Sequence, residues 1–336
     1  MRSLRAFSLL IFILLFSGST FSALARSSAG VTVTPKASAT PRPPTAIPLG
    51  FIADDVGGGG RLTYVRDGVL YESAANGTQE KLIAAKISGK IAFGVYSPTM
   101  DRLLVFTKIQ PGSAENGWFV DTVTGAAEQI VGVQRGLYGV WSPDGKALTV
   151  SVVPEDQASK LASGENGINT DLLNYYVADR RLEAITTNER ASELPQSWSP
   201  DGKLFAYTSG SLSEVAAGMV IASVDGASKL IYVPEVIAMA WGPDGRMAAC
   251  VNQVGSLSYQ IAIYQDFKTR PIVVRNLGLE SCTGFVRWSP DGKYIAFLGF
   301  DANFKKEGIR AVNIANGEVV SLRKGNVVTF DWTAAR

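Results

Sequence analysis

Trp141-Ser-Pro-Asp-Gly-Lys146, Trp198-Ser-Pro-Asp-Gly-Lys203 and Trp288-Ser-Pro-Asp-Gly-Lys293 are one hexapeptide written three times. Trp241-Gly-Pro-Asp-Gly-Arg246 is a conservative fourth copy, and Tyr96-Ser-Pro-Thr-Met-Asp101 a decayed fifth. Each is a tight turn with a chemical cause. Proline presets φ at the first corner, Asp can bond its own backbone, and Gly accepts positive φ. The leading aromatics, Tyr96, Trp141, Trp198, Trp241, Trp288 and a final Trp332, are spaced 45, 57, 43, 47 and 44 residues apart. A period of that size indicates an array of identical supersecondary units.

The residues flanking each turn are strands. Leu137-Tyr-Gly-Val-Trp141 and Phe285-Val-Arg-Trp288 precede it, whereas Leu148–Val152, Leu204–Thr208 and Tyr294–Leu298 follow it. They are β-branched and aromatic runs of strand length. A third strand repeats with its own turn, as in Gly117–Gly125, Gly218–Gly226 and Ile309–Gly317. A short fourth closes the unit, as in Glu128–Val131 and Glu318–Leu322. Four antiparallel strands per period make a β-propeller blade.

The ends of the array complement one another. The first unit lacks its first strand and begins with Arg61–Val65, Val69–Ser73 and Lys81–Ile83, while Val327–Thr333 is a lone first strand with no blade behind it. Placing that strand in blade one gives an all-β, six-bladed propeller over residues 61–336 with no open edge.

The Trp-Ser-Pro-Asp-Gly-Lys turns and this blade count resemble the TolB-like six-bladed propellers, which in turn resemble the propeller domains of prolyl-oligopeptidase-like enzymes. The resemblance covers about residues 61–333 and implies the fold far more than the function. TolB itself carries an α/β domain before its propeller, and residues 26–60 are too short for one. The peptidases add a hydrolase domain with a Ser-Asp-His triad, which this sequence cannot supply.

Histidine is absent from all 336 residues. That excludes Ser-His-Asp and Cys-His nucleophile systems, His-ligated metals and histidine pH switches. Two cysteines, Cys250 and Cys282, are too few for a thiolate metal cage. They are either a disulfide or two separately buried thiols. No cofactor is expected; calcium and carboxylate chemistry are left open by composition.

The chain opens with a short basic start, Arg2 and Arg5, an apolar run Ala6–Phe16, and small residues at Ala23 and Ala25. This is the order of an export signal cleaved after Ala25, the alternative being an uncleaved membrane anchor. Residues 26–60 are rich in Pro, Ser, Thr and Gly and cannot build a core. The exported part is expected in the periplasm, at the cell surface or outside the cell. From residue 26 onward it carries 30 basic and 30 acidic residues. Without a basic surplus no nucleic-acid partner is expected, and membrane contact only through an uncleaved signal.

Function in such a ring belongs to its loops and central channel. The turn aspartates Asp144, Asp201, Asp244 and Asp291 are read as structural, and the repeated tryptophans as inter-blade packing. The loops between second and third strands vary most. In blade three, Glu155, Asp156, Lys160, Glu165, Asn169 and Asp171 are candidate partner-binding or calcium-binding groups. In blade six, Asp301, Phe304, Lys305 and Lys306 form a mixed-charge tip with an aromatic, a composition suited to protein contact. The leading expectation is therefore a non-catalytic scaffold binding a protein through its loop face. The alternatives are an enzyme or carbohydrate- or calcium-binding propeller with channel carboxylates, and a stand-alone peptidase-type propeller serving a separate hydrolase.

Overall fold

The computed structural model describes residues 60–334 apart from 84–85, 110–114, 158, 161–167, 188–190, 212–217, 225–228, 253–257, 268, 302 and 304. The expected signal and almost all of the linker lie outside the described residues. Among the described residues no helix is long and apolar enough to cross a membrane.

The strands form six four-stranded antiparallel sheets. Blade one combines β24 (Val327–Thr333) with β1 (Arg61–Arg66), β2 (Val69–Ala74) and β3 (Lys81–Leu82). Leu62 stands opposite Trp332, and Tyr64 opposite Phe330, so the last strand closes the ring. Blade two is β4 (Ile91–Tyr96), β5 (Arg102–Thr107), β6 (Gly117–Asp121) and β7 (Ala127–Gln129). Blade three is β8 (Gly136–Trp141), β9 (Ala147–Val152), β10 (Asp171–Tyr176) and β11 (Arg181–Ala184). Blade four is β12 (Ala191–Trp198), β13 (Leu204–Ser211), β14 (Gly218–Ser223) and β15 (Lys229–Pro234). Blade five is β16 (Val236–Trp241), β17 (Met247–Asn252), β18 (Tyr259–Tyr264) and β19 (Ile272–Gly278). Blade six is β20 (Ser281–Trp288), β21 (Tyr294–Phe300), β22 (Lys306–Asn313) and β23 (Val319–Lys324).

The first strands β4, β8, β12, β16, β20 and β24 touch one another in sequence around the axis. Each second strand is covered on both faces by neighbouring blades. That is why β9 (ALTVSV) is buried at every residue, with no inside-outside alternation. The fourth strands lie on the rim, as the exposed β11 and most of β19 show. Clusters of apolar side chains fill the gaps between blades, for example Trp198, Phe205 and Tyr207 with Val140 and Leu172 between blades three and four.

The repeated turns are built as their chemistry requires. Asp144, Asp201 and Asp291 each accept the preceding serine hydroxyl at 2.6–2.7 Å and the backbone N–H two residues on at 3.1 Å. Where Gly242 replaces that serine, the Arg246 guanidinium binds Asp244 at 2.6 Å instead. The four turn glycines hold φ between 69° and 83°. In the decayed copy Met100 takes the same left-handed conformation, with φ 59°, which is unfavourable for an L-residue.

Cys250 and Cys282 are joined by a disulfide, their Cα atoms 5.9 Å apart. The bond ties the second strand of blade five to the first strand of blade six. Both residues are fully buried.

Candidate functional site: the axial chamber

Each first strand ladders with a neighbour on one edge and turns the other to the axis, where β12 alone among the described strands adds a single bridge, Ser192 to Thr170 of blade three. In all six blades a bulge interrupts that pairing. The register slips at Ile91/Phe93, Gly136/Tyr138, Pro195/Ser197, Val236/Ala238, Cys282/Val286 and, in blade one, opposite Val65/Arg66. A bulge bends its strand and re-aims its side chains. Pro195 is tolerated in β12 because this edge needs no ladder donor.

Two layers of side chains follow along the axis. The deeper one is aromatic. Phe93 of blade two, Tyr138 of blade three and Phe285 of blade six meet with ring centroids 5.4–6.3 Å apart. Blades three and six stand opposite each other, so these rings close the channel across its axis. Burial pushes the Tyr138 hydroxyl up to about 12.

Two residues further along each strand, a chamber of about 430 Å³ opens at the face that carries the Trp-Ser-Pro-Asp-Gly turns. Its wall holds the six repeat aromatics, the turn prolines and the residue before each aromatic: Val95, Val140, Ser197, Ala240, Arg287 and Asp331. Arg287 Nε donates to Asp331 Oδ1 at 2.9 Å, with both side chains largely buried. Among the described residues, Asp331 is the single carboxylate in the wall. Gln196, the bulged residue of β12, accepts from Met239 N–H at 3.3 Å, and Ser197 Oγ accepts from Trp241 N–H at 3.1 Å. The polar groups of the wall thus stitch adjacent innermost strands together.

The tryptophans also join blades. Trp198 Nε1 donates to Thr149 Oγ1 of the preceding blade at 3.1 Å, and Trp288 Nε1 to the Ala240 carbonyl at 3.0 Å. Trp141 packs on Phe119 of blade two with centroids 5.6 Å apart. Their six- and five-membered rings still form much of the chamber wall, so inter-blade packing and an aromatic binding surface coexist.

The loop residues picked out from sequence lie at the other end of the ring, because the second strand runs antiparallel to the first. In blade three, Glu155 accepts from Arg135 at 2.5 Å and is held at the base of its own loop. Asp156 is exposed, and so is Lys160. Asn169 is buried, and Asp171 starts β10 opposite Val152. Glu165 and Phe304 lie outside the described residues. Asp301 caps its own turn, accepting from the Asn303 and Lys305 N–H groups at 2.8 and 2.9 Å. Lys305 is exposed and Lys306 half-buried. Among the described residues no group of three or more Asp, Glu, His or Cys converges on a point that could hold a metal ion.

Gln196, Arg287, Asp331 and the aromatic closure were not singled out by the sequence reading. One signal was available. The residue immediately before the repeat aromatic alternates away from the packed face, and in blades six and one that column reads Arg287 and Asp331, opposite charges in adjacent blades.

No family model matches the chain, and no curated protein matches it. Solved structures do. A TolB from Acinetobacter baumannii superimposes with a TM-score of 0.62 at 18% identity, over 82% of this chain and 66% of that one. This chain therefore spans just under two thirds of that protein. A structure assigned as TolB from Agrobacterium tumefaciens gives 0.55 at 15% identity, over 80% and 89%. An oligogalacturonate lyase in complex with manganese gives 0.54 at 17%, over 76% and 70%. At such identities the likeness concerns architecture, and enzymes share it with TolB. The chain has the TolB-like six-bladed propeller fold.

Proposed function

We propose that the protein is an exported, non-catalytic propeller that recognises a protein partner, and that the axial chamber is the place where a partner's side chains enter. The observation that carries this reading is the composition of the chamber wall. Aromatic and proline surface supplies contact area at little conformational cost. The two charged groups that reach the wall, Arg287 and Asp331, neutralise one another, so neither is poised for acid-base work. A wall of this kind suits an apolar or aromatic anchor better than a sugar ring needing several oriented hydrogen bonds. The closed inner end limits entry to the turn face.

A photo-crosslinker at Ala334, an exposed residue on the chamber rim, should trap one discrete envelope or secreted protein. The same group at Leu279, on the loop face, should not trap that protein. Ser197→Arg, which fills the chamber and gives up the Trp241 N–H bond at a cost of about 1 kcal/mol, should abolish retention of that protein while circular dichroism shows the ring still folded. Retention unchanged by Ser197→Arg, or crosslinking from Leu279 alone, would move recognition to the loop face. A chelator-sensitive thermal midpoint without any trapped protein would instead favour a metal- or carbohydrate-binding site.

A further inference from the structure

The chain enters the propeller at the mouth of the chamber. Gly60, the residue before β1, is buried, and its carbonyl accepts the Ala75 N–H at 2.9 Å. A Cβ on Gly60 would stand 2.7 Å from Trp332 Nε1, 2.7 Å from the Thr333 carbonyl oxygen and 2.9 Å from Pro290 Cγ. All three residues belong to the chamber wall. Only glycine lets the backbone pass this close. The residues ahead of Gly60 are thereby brought to the turn face, the end at which the chamber is open.

Those residues include an apolar segment of the kind the wall suits. Ala46-Ile-Pro-Leu-Gly-Phe-Ile-Ala53 is uncharged, and Phe51 is the single aromatic residue between Arg26 and Gly60. Placing Phe51 in the chamber takes its ring and the aromatic and proline wall out of water together. The size is suitable, since about 430 Å³ lies within the ~300–1,000 Å³ range of ligand pockets. The reach is ample. Residues 52–59 extend to about 26–29 Å at most, roughly three times the diameter of a sphere of 430 Å³.

We propose that Phe51, with Leu49 and Ile52 beside it, occupies the axial chamber of its own propeller, and that a partner enters by displacing it. Self-occupancy rests on the chamber being a recognition site and adds competition to it. A segment on so short a tether competes at an effective concentration of about millimolar. The same tether favours its own ring over that of a second copy at ordinary protein concentrations. A partner must therefore bring a better anchor or further contacts around the rim, and a weak apolar peptide is turned away.

Acrylamide quenching of tryptophan emission reads the chamber, because five of the six tryptophans line its wall. In the purified exported protein, Leu49→Ser/Phe51→Ser/Ile52→Ser should leave the ring folded by circular dichroism and raise the quenching constant. A fluorescein-labelled peptide of residues 46–55 (AIPLGFIADD) should bind this triple variant about tenfold more tightly than the parent, whose own segment fills about nine chambers in ten. Adding Ser197→Arg should abolish that binding. Equal quenching in the two proteins, equal affinity, or peptide binding that survives Ser197→Arg would overturn the proposal. So would a quenching difference that appears only as protein concentration rises, which would assign the segment to a second copy's chamber. Peptide bound by neither form, with an envelope protein still trapped from Ala334, would remove self-occupancy and leave partner recognition standing. Peptide bound by the triple variant, with no protein trapped, would do the reverse.

Discussion

The Cys250–Cys282 bond offers the sharpest test of how the ring holds together. It closes a 33-residue loop spanning the junction of blades five and six. On the loop-entropy account, cross-linking that length removes about 3–4 kcal/mol of freedom from the unfolded chain. Over roughly 275 propeller residues, at about 2.1 cal/mol/K each, the unfolding entropy is about 0.6 kcal/mol/K. Loss of the bond should therefore lower the thermal midpoint by about 5–7 °C. Cys250→Ala/Cys282→Ala should fall by more than this, because both sulfurs are fully buried and their removal leaves a cavity. The assay is a thermal melt of oxidised protein, of protein unfolded and refolded under reductant, and of the double variant. Burial makes a kinetic prediction too: a thiol reagent should cleave the bond only as fast as the junction opens. Rapid reduction of the native protein would refute the view that this junction stays closed, and a midpoint indifferent to the bond would refute the view that the cross-link acts by limiting the unfolded chain.

Two further outcomes follow from particular groups. Asp291→Ala should cost about 1–2 kcal/mol in a denaturant melt, because it removes the acceptor of the Ser289 hydroxyl and the Lys293 N–H; an unaltered midpoint would contradict the turn assignment. Burial pushes the Glu72 carboxyl up, but the Tyr96 hydroxyl at 2.7 Å, Lys81 at 3.1 Å and Arg61 at 2.6 Å outweigh it and hold it below its ordinary 4.5. A depressed carboxylate contributes stability that is complete above its unfolded value and is lost as pH falls through the folded one. Glu72→Gln should therefore cost about 1–2 kcal/mol at neutral pH, because the Lys81 and Arg61 cations it leaves behind reach water, and should flatten the stability loss below about pH 4.5 in an acid titration.

The fold was legible because its information is repeated. One turn recurs with its proline, aspartate and glycine in fixed places, and even the decayed copy keeps Ser97 and Asp101 hydrogen-bonded at 2.8 Å. Ring closure was legible for a different reason: Arg61 and Val327 each begin incomplete units, and only their pairing satisfies both edges. The long spacing between Trp141 and Trp198 is taken up by the connection between β9, ending at Val152, and β10, beginning at Asp171. The cysteine pairing could not be read, since separation along the chain carries no Cα distance.

The site was less legible, because it depends on what six repeats bring to one axis. Phe93, Tyr138 and Phe285 belong to strands that look alike, and nothing local says that their rings will meet across the channel. Arg287 and Asp331 lie 44 residues apart in sequence but 2.9 Å apart in space. Ring closure seats the chain's last blade beside its first, which sets Arg287 of blade six against Asp331 of blade one. Net charge is a sum over the sequence, whereas the field a partner meets is set by which blades are adjacent. In a closed propeller, adjacency includes the two ends of the array.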